Sequence, residues 1–299
     1  MNHQSVVGAI LGGAIGDGWG GPFEGRVAQP DVTAPDQLIV SDDTQLTIAT
    51  CESVIESGRV DPEQVAARFV EWFRSGRLRG LGASTFKALR DLDAGVHWAL
   101  AGAKGEHAAG NGAAMRIAPL AFVLDPDDEL QRQTVRDVCR ITHHHEEAYV
   151  GALAVLSAVR FAGSPGYDFS HLLQDVASAL PDSQVRDRIV SFATFGKELT
   201  PLHVASSWGN SGFVVESVPL AMFIARETHH RSFVSVVQSA IEVGGDTDTI
   251  GSIVGQIAGA AVGSDGLPAD LLKRLQDHTA LTSTAERFAR VVDKSAPLP

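Results

Sequence analysis

The chain has 299 residues, 44% of them hydrophobic and 20% charged, which is enough for one large core and long enough for two domains. A formal net charge of −12, with pI near 5.3, argues against a general nucleic-acid binder and against a protein held on an anionic membrane by charge. Cys51 and Cys139 are the only cysteines, so neither a disulfide framework nor a Cys-rich zinc site is indicated, and a reducing cytoplasm is the expected compartment.

Residues 4–16 are apolar and read as a buried helix. A signal-peptide core looks similar, but the basic flank is missing and no small-residue cleavage site follows; the chain goes on to Asp17-Gly18-Trp19. No stretch approaches ~20 uninterrupted apolar residues, so no membrane span is expected. Ser41-Asp42-Asp43-Thr44 opens a second helix, to about Ser57, with Asp42 or Asp43 as its cap. Asp61-Pro62 opens a third, carrying Val65, Phe69, Trp72 and Phe73. Arg74, Arg77 and Arg79 read as a solvated face rather than a phosphate track. Further helices are expected over 83–93, 113–123, 129–141, 146–162, 168–180, 183–194, 216–227, 231–242, 249–262, 268–277 and 283–293. Period-2 alternation is not sustained anywhere, and there is no linker, low-complexity stretch or fixed-period repeat. The simplest expectation is one all-α domain over residues 1–299, acting as a monomer.

Glycines recur at intervals of four in two of these helices: Gly8, Gly12, Gly16 and Gly20, and again Gly251, Gly255, Gly259 and Gly263. Each helical Gly costs up to ~1 kcal/mol relative to Ala, and a spacing of four puts each set on one stripe. Both helices are therefore expected to be central and to pack closely, one against the other; a generic Ala/Gly-rich core is the alternative.

Two acidic clusters precede apolar-periodic segments: Ser41-Asp42-Asp43-Thr44 and Gly244-Gly245-Asp246-Thr247-Asp248-Thr249. Helix-capping accounts for one acid in each. It leaves the second beside apolar sequence, where a carboxylate is costly unless paired or bound to a cation. Carboxylate and hydroxyl oxygens suit Mg²⁺, Mn²⁺ or Ca²⁺ rather than zinc, and several together can hold two metals. Gly110-Asn111-Gly112-Ala113-Ala114-Met115-Arg116 is a Gly-bounded turn before a helix. Such a turn can bring backbone N–H groups to a phosphate or sugar, although it has neither the Walker nor the dinucleotide-fold spacing. Thr142-His143-His144-His145-Glu146-Glu147-Ala148-Tyr149 contains three adjacent histidines. Consecutive helical residues diverge by about 100°, so the three cannot share one zinc; one His and Tyr149 are expected to face a pocket. Glu216, in Gly212-Phe213-Val214-Val215-Glu216, reads as a helix-start acid.

Taken in order, these pieces resemble the ADP-ribosylglycohydrolases, the group typified by the dinitrogenase reductase-activating glycohydrolase, from Gly8 to about Gly263. Gly8 to Glu24 looks like the family's N-terminal signature. Ser41 to Thr44 and Gly244 to Thr249 look like its two metal motifs, Gly110 to Arg116 its glycine loop, and Thr142-His143 with Ala148 and Tyr149 its Thr-His motif. The resemblance implies an all-α, orthogonal multi-helix bundle with a metal-lined cleft, and hydrolysis of the bond from ADP-ribose to an acceptor such as protein arginine or serine. It implies two Mg²⁺ (or Mn²⁺) held by Ser41, Asp42, Asp43, Asp246, Asp248 and Thr249, with Asp248 bridging. Glu24 would be a catalytic carboxylate on a flap, with Asp42 and Asp43 sharing in catalysis. Gly110, Asn111, Gly112, Ala113, Met115, His143 and Tyr149 would contact ADP-ribose, Tyr149 at the adenosine end. Many members have Thr at the position of Ser41, and the hydroxyl survives the exchange. A Mg²⁺-dependent hydrolase of another phosphate-containing substrate and a non-catalytic ADP-ribose reader are the alternatives.

Overall fold

In the computed structural model, which describes residues 2–196 and 199–295, the chain forms fifteen α-helices. They are α1 (His3–Gly20), α2 (Asp42–Ser57), α3 (Pro62–Arg74), α4 (Ala83–Asp93), α5 (Trp98–Ala101), α6 (Glu129–Arg140), α7 (Glu146–Ala162), α8 (Leu172–Ala179), α9 (Gln184–Ala193), α10 (Pro201–Trp208), α11 (Val214–Ala225), α12 (Phe233–Glu242), α13 (Thr247–Val262), α14 (Ala269–Arg274) and α15 (His278–Ser295). The described residues contain no sheet, only three isolated bridges: Leu38 with Leu275, Ala103 with His143, and Gly110 with Phe213. The fold is an all-α multi-helix bundle.

The glycine stripes build its axis. A methyl group on Gly8 would overlap the carbonyl oxygen of Gly259; on Gly12, that of Gly255; on Gly16, that of Gly251; on Gly20, that of Thr247. The residue numbers rise on one helix as they fall on the other, so α1 and α13 run antiparallel with their backbones in contact. Neither has a polar face: Ser5 to Gly20 of α1 and Thr247 to Ala260 of α13 are all buried. Helices that are apolar all round belong in the centre of a core, and α2, α7, α11, α12 and α15 pack around this pair.

Local signals set most helix ends. Side chains of Asn2, Ser41, Asp61, Asp128, Ser183, Thr200 and Ser232 accept backbone N–H groups at the starts of α1, α2, α3, α6, α9, α10 and α12. The helix expected over 113–123 is instead two 3₁₀ turns, Ala114–Arg116 and Ala118–Phe122. Pro119 lacks an N–H and disfavours the α conformation at Ala118, so one continuous helix cannot form. Two short helices, α5 and α10, were not expected. For α10 the signal was present in Thr200-Pro201, a cap followed by Pro in the first helical turn. Cys51 and Cys139 are buried free thiols. No helix among the described residues is long and apolar enough to cross a membrane.

Candidate active site

The axis decides where the acids meet. Antiparallel packing lays the last turn of α1 beside the first turn of α13. Asp17 of α1 and Asp248 of α13 each offer an oxygen to one tight carboxylate group. The start of α2 docks at the same place. The Asp17 carboxylate accepts the backbone N–H of Ser41 at 3.0 Å, that of Thr44 at 3.1 Å and the Thr44 hydroxyl at 2.5 Å. Asp17 thus caps α2 from another helix and carries Asp42 and Asp43 to the same end of the axis.

The two acidic clusters, remote in sequence, converge there. Asp43 Oδ2 accepts from the Ser41 hydroxyl at 3.1 Å and from the Thr249 hydroxyl at 3.4 Å. Oxygens of Asp17, Asp43 and Asp248 lie within 4.8 Å of one another, as do those of Glu24, Asp246 and Asp248. Asp248 belongs to both groups.

So many buried acids raise one another's affinity for protons. Burial first, then neighbouring carboxylates, lifts Asp42 to about 8, and the same causes push Asp43 well above the carboxylate range. Burial, offset by the Thr44 hydrogen bond, lifts Asp17 to about 7; burial and Asp246 lift Asp248 to about 7. Asp246 and Glu24 are also raised, chiefly by burial. Like charges held this closely disfavour each other's ionised form, and an opposite charge among them reverses the effect. Asp43 Oδ1 is buried without a hydrogen-bond partner. An orphaned oxygen in an all-oxygen donor set fits a hard divalent cation, not a soft one. Asp17 fits less well as a ligand, since its oxygens already accept from Ser41 and Thr44.

The acids floor a cleft of about 490 Å³, within the ~300–1,000 Å³ of small-ligand pockets. Glu24 reaches it from a segment that leaves α1 through the 3₁₀ turn Gly21–Phe23. Gly25 N–H donates to Gly245 O at 2.8 Å and Gly245 N–H donates to Arg26 O at 3.0 Å. Gly244 and Gly245 both have positive φ, and a methyl on Gly244 would strike the backbone of residues 26–28. This glycine pair therefore lets the Glu24 segment lie directly against the Asp246 loop. On the opposite wall, Asn111 Nδ2 donates to Asp246 Oδ2 at 2.5 Å and to Ser217 Oγ at 3.1 Å. The bridge between Gly110 and Phe213 pins the loop that carries it.

Glu24, Asp42, Asp43, Gly110, Asn111, Gly112, Met115, His143, Asp246, Asp248 and Thr249 all line the cleft. Ser41 sits just behind, its hydroxyl donating to the Asp43 carboxylate and accepting the Asp43 backbone N–H. Two of the expected binding residues do not line the cleft. Ala113 is fully buried in the core, because the glycine loop turns inward towards Met115. Tyr149 is buried under the Arg136 guanidinium, 4.1 Å from it, and lines a separate 110 Å³ cavity with Arg136, Arg140 and the three histidines. His143 stands between that cavity and the cleft. The histidines do diverge, but in the turn before α7: His143 towards the cleft, His145 as the α7 cap, His144 against Gly102.

Asp17 escaped the sequence reading. Its signal was a lone acid inside an otherwise apolar, glycine-striped helix, where only a buried task can keep a carboxylate. Thr85, Asn210 and Ser211 of the cleft wall carried no signal of comparable strength.

Fold and acids together define an all-α protein whose cleft can coordinate hard cations. Residues 2–297 match the family model for ADP-ribosylglycohydrolase, and the chain belongs to that family. It is 26% identical to the human ADP-ribosylhydrolase ARH3, with 89% of this chain and 84% of that protein aligned. It is also 26% identical to the ADP-ribosyl-dinitrogen reductase glycohydrolase of Rhodospirillum rubrum, over 91% of this chain and 90% of that one. Equal identity to the two does not single out the dinitrogenase reductase-activating group. A solved structure described as an ADP-ribosylglycohydrolase-related protein complex superposes with a TM-score of 0.72 at 27% identity, covering 97% of this chain and 98% of that chain.

Proposed function

We propose that this protein hydrolyses the bond between ADP-ribose and an acceptor, with a protein arginine or serine side chain as the acceptor. One observation carries the reading: two carboxylate groups that share Asp248 lie on the floor of a cleft of ligand size, in a chain of this family. Asp42, Asp43, Asp246 and Asp248, with the hydroxyls of Ser41 and Thr249, would hold two Mg²⁺ or Mn²⁺ ions, Asp248 serving both. Bound there, the ions would supply Lewis-acid stabilisation of developing charge. Residues 1–299 act as one domain around this centre.

The protein's own groups do the rest. Cleavage at an anomeric carbon needs a carboxyl that can move a proton and a second group opposing the developing positive charge. Glu24 is exposed at the edge of the cleft beside Asp248, and desolvation, with the Asp248 charge, raises its proton affinity above that of an ordinary glutamate, the direction a proton-transferring carboxyl needs. Asp42 and Asp43 oppose the charge from the floor. Gly110, Asn111 and Gly112 hold the diphosphate and distal ribose through the loop, with Met115 and His143 lining the wall. Asn111 also fixes the rotamer of Asp246.

The test is incubation with arginine- and serine-linked ADP-ribosyl peptides in Mg²⁺ or Mn²⁺, with the products identified. Release of intact ADP-ribose is expected. Release of AMP would make the protein a pyrophosphate hydrolase, and binding without turnover would make it an ADP-ribose reader.

A further inference from the structure

Arg116 is the largest fully buried side chain in the molecule, and no step above uses it. Its guanidinium lies 4.7 Å from the centre of the Phe69 ring. Nη2 donates to Val138 O at 3.2 Å and to Thr142 Oγ1 at 2.8 Å, while Nε and Nη1 have no partner. A buried cation with two unsatisfied donors is costly, so a compensating use is expected of it.

The next link is the Thr142 hydroxyl, itself fully buried, 2.8 Å from His143 Nδ1. Arg116 has donors only and stays protonated, although burial draws it down to about 10. Thr142 Oγ1 must therefore accept from it. Among the described residues the one acceptor in reach of the Thr142 proton is His143 Nδ1. The reverse arrangement, Nδ1–H donating to Thr142, would strand that hydroxyl proton in the core at a cost of about 1–3 kcal/mol. With Nδ1 an acceptor, the ring proton sits on Nε2. Among the described residues that nitrogen has no protein partner, and the ring lines the cleft against Gly110 and Gly112. Burial, with Arg116 nearby, pushes His143 down to about 3, so the ring is neutral.

We propose that Arg116 is a positioning residue: through Thr142 it holds His143 as the neutral Nε2–H tautomer, a hydrogen-bond donor to a phosphate or ribose oxygen bound at the glycine loop. The donor role rests on the function proposed above; the tautomer does not.

The experiment compares the full-length parent with Thr142→Val and Thr142→Ser. Ring-nitrogen NMR of ¹⁵N-histidine protein reads the tautomer, and calorimetry reads ADP-ribose affinity. The parent and Thr142→Ser should show pyridine-type Nδ1 and pyrrole-type Nε2. Thr142→Val, nearly isosteric, should lose that fixed assignment and bind ADP-ribose roughly tenfold more weakly, the size of one net hydrogen bond. A melting curve identifies a variant that has not folded, in which case the parent spectrum decides the tautomer. A pyrrole-type Nδ1 in the parent overturns the proposal, as does a Thr142→Val protein with unchanged tautomer and affinity. A parent with the expected tautomer but no ADP-ribose binding overturns the proposed function and the donor role, and leaves the tautomer assignment standing.

Discussion

Among single residues, Asp248 and Glu24 separate binding from chemistry. Asp248 contributes to both carboxylate groups, so Asp248→Asn should weaken both of the proposed ions together. The loss should exceed the roughly 10- to 100-fold that follows removal of a mere supporting group around a metal. A Mn²⁺ titration with unchanged stoichiometry and affinity would show the site to be elsewhere. Thr249→Ala removes a neutral hydroxyl 3.4 Å from Asp43 and should be milder. In the proposed role Glu24 acts in the transition state, so Glu24→Gln should keep ADP-ribose affinity while turnover falls about 10²- to 10⁴-fold. Equal rates for parent and variant would return Glu24 to the surface acids. Asp248 was legible in sequence because an acid beside an apolar stretch needs a reason; Glu24 came only from the resemblance to the family's N-terminal signature. Asp17 was not legible, because its partners are backbone N–H groups of a helix that starts more than twenty residues later. That Tyr149 faces Arg136 rather than the cleft was not legible, because a side chain's direction depends on neighbours that share no pattern with it.

For elements, the spacing of four between glycines said more than helix propensity did. It identified both helices of the axis, but not the register that puts Gly12 opposite Gly255. Gly12→Ala would drive a methyl into that carbonyl oxygen, which belongs to rigid backbone. The expected loss is about 3 kcal/mol or more, at the upper end of overpacking costs. Gly82→Ala meets nothing within 4 Å and should cost about 1 kcal/mol or less, as an N-cap change without a clash. Chemical denaturation of the two variants compares them, and similar midpoints would disprove close contact between α1 and α13. Helix existence was readable almost throughout, since the apolar period survives in each sequence. Where it failed, over 113–123, Pro119 outweighed the period; at α5, four residues are too few to show one.

At the scale of the whole molecule, the buried acids make stability depend on pH and on metal together. Asp17 and Asp248 in the folded state titrate at about 7 and Asp42 at about 8, against about 3.9 unfolded. Between those limits the folded protein holds more protons than the unfolded chain, so in the absence of metal its stability falls as pH rises from about 4 to about 8. Melting temperatures in EDTA should therefore drop from pH 5.5 to pH 8, and Mg²⁺ or Mn²⁺ should flatten the slope. His3, raised by hydrogen bonds to Asp293 and Glu286, contributes stability that is lost as pH rises through its folded value. That term has the same sign, but metal does not alter it, so the difference between the two series isolates the cleft. A slope indifferent to metal would remove the cation from the account. The antiparallel glycine register also has a bearing on biosynthesis. α1, buried along almost its whole length in the final fold, is made more than two hundred residues before its partner α13. Until then the glycine stripe of α1 lacks the backbone it packs against. Asp17 and Asp43 cannot meet Asp248 before the more than two hundred residues between them have been made. A growing chain of this protein therefore keeps an uncovered apolar stripe on α1 over a long stretch of synthesis, a client for a chaperone, and the carboxylate cluster is completed only once α13 has been made.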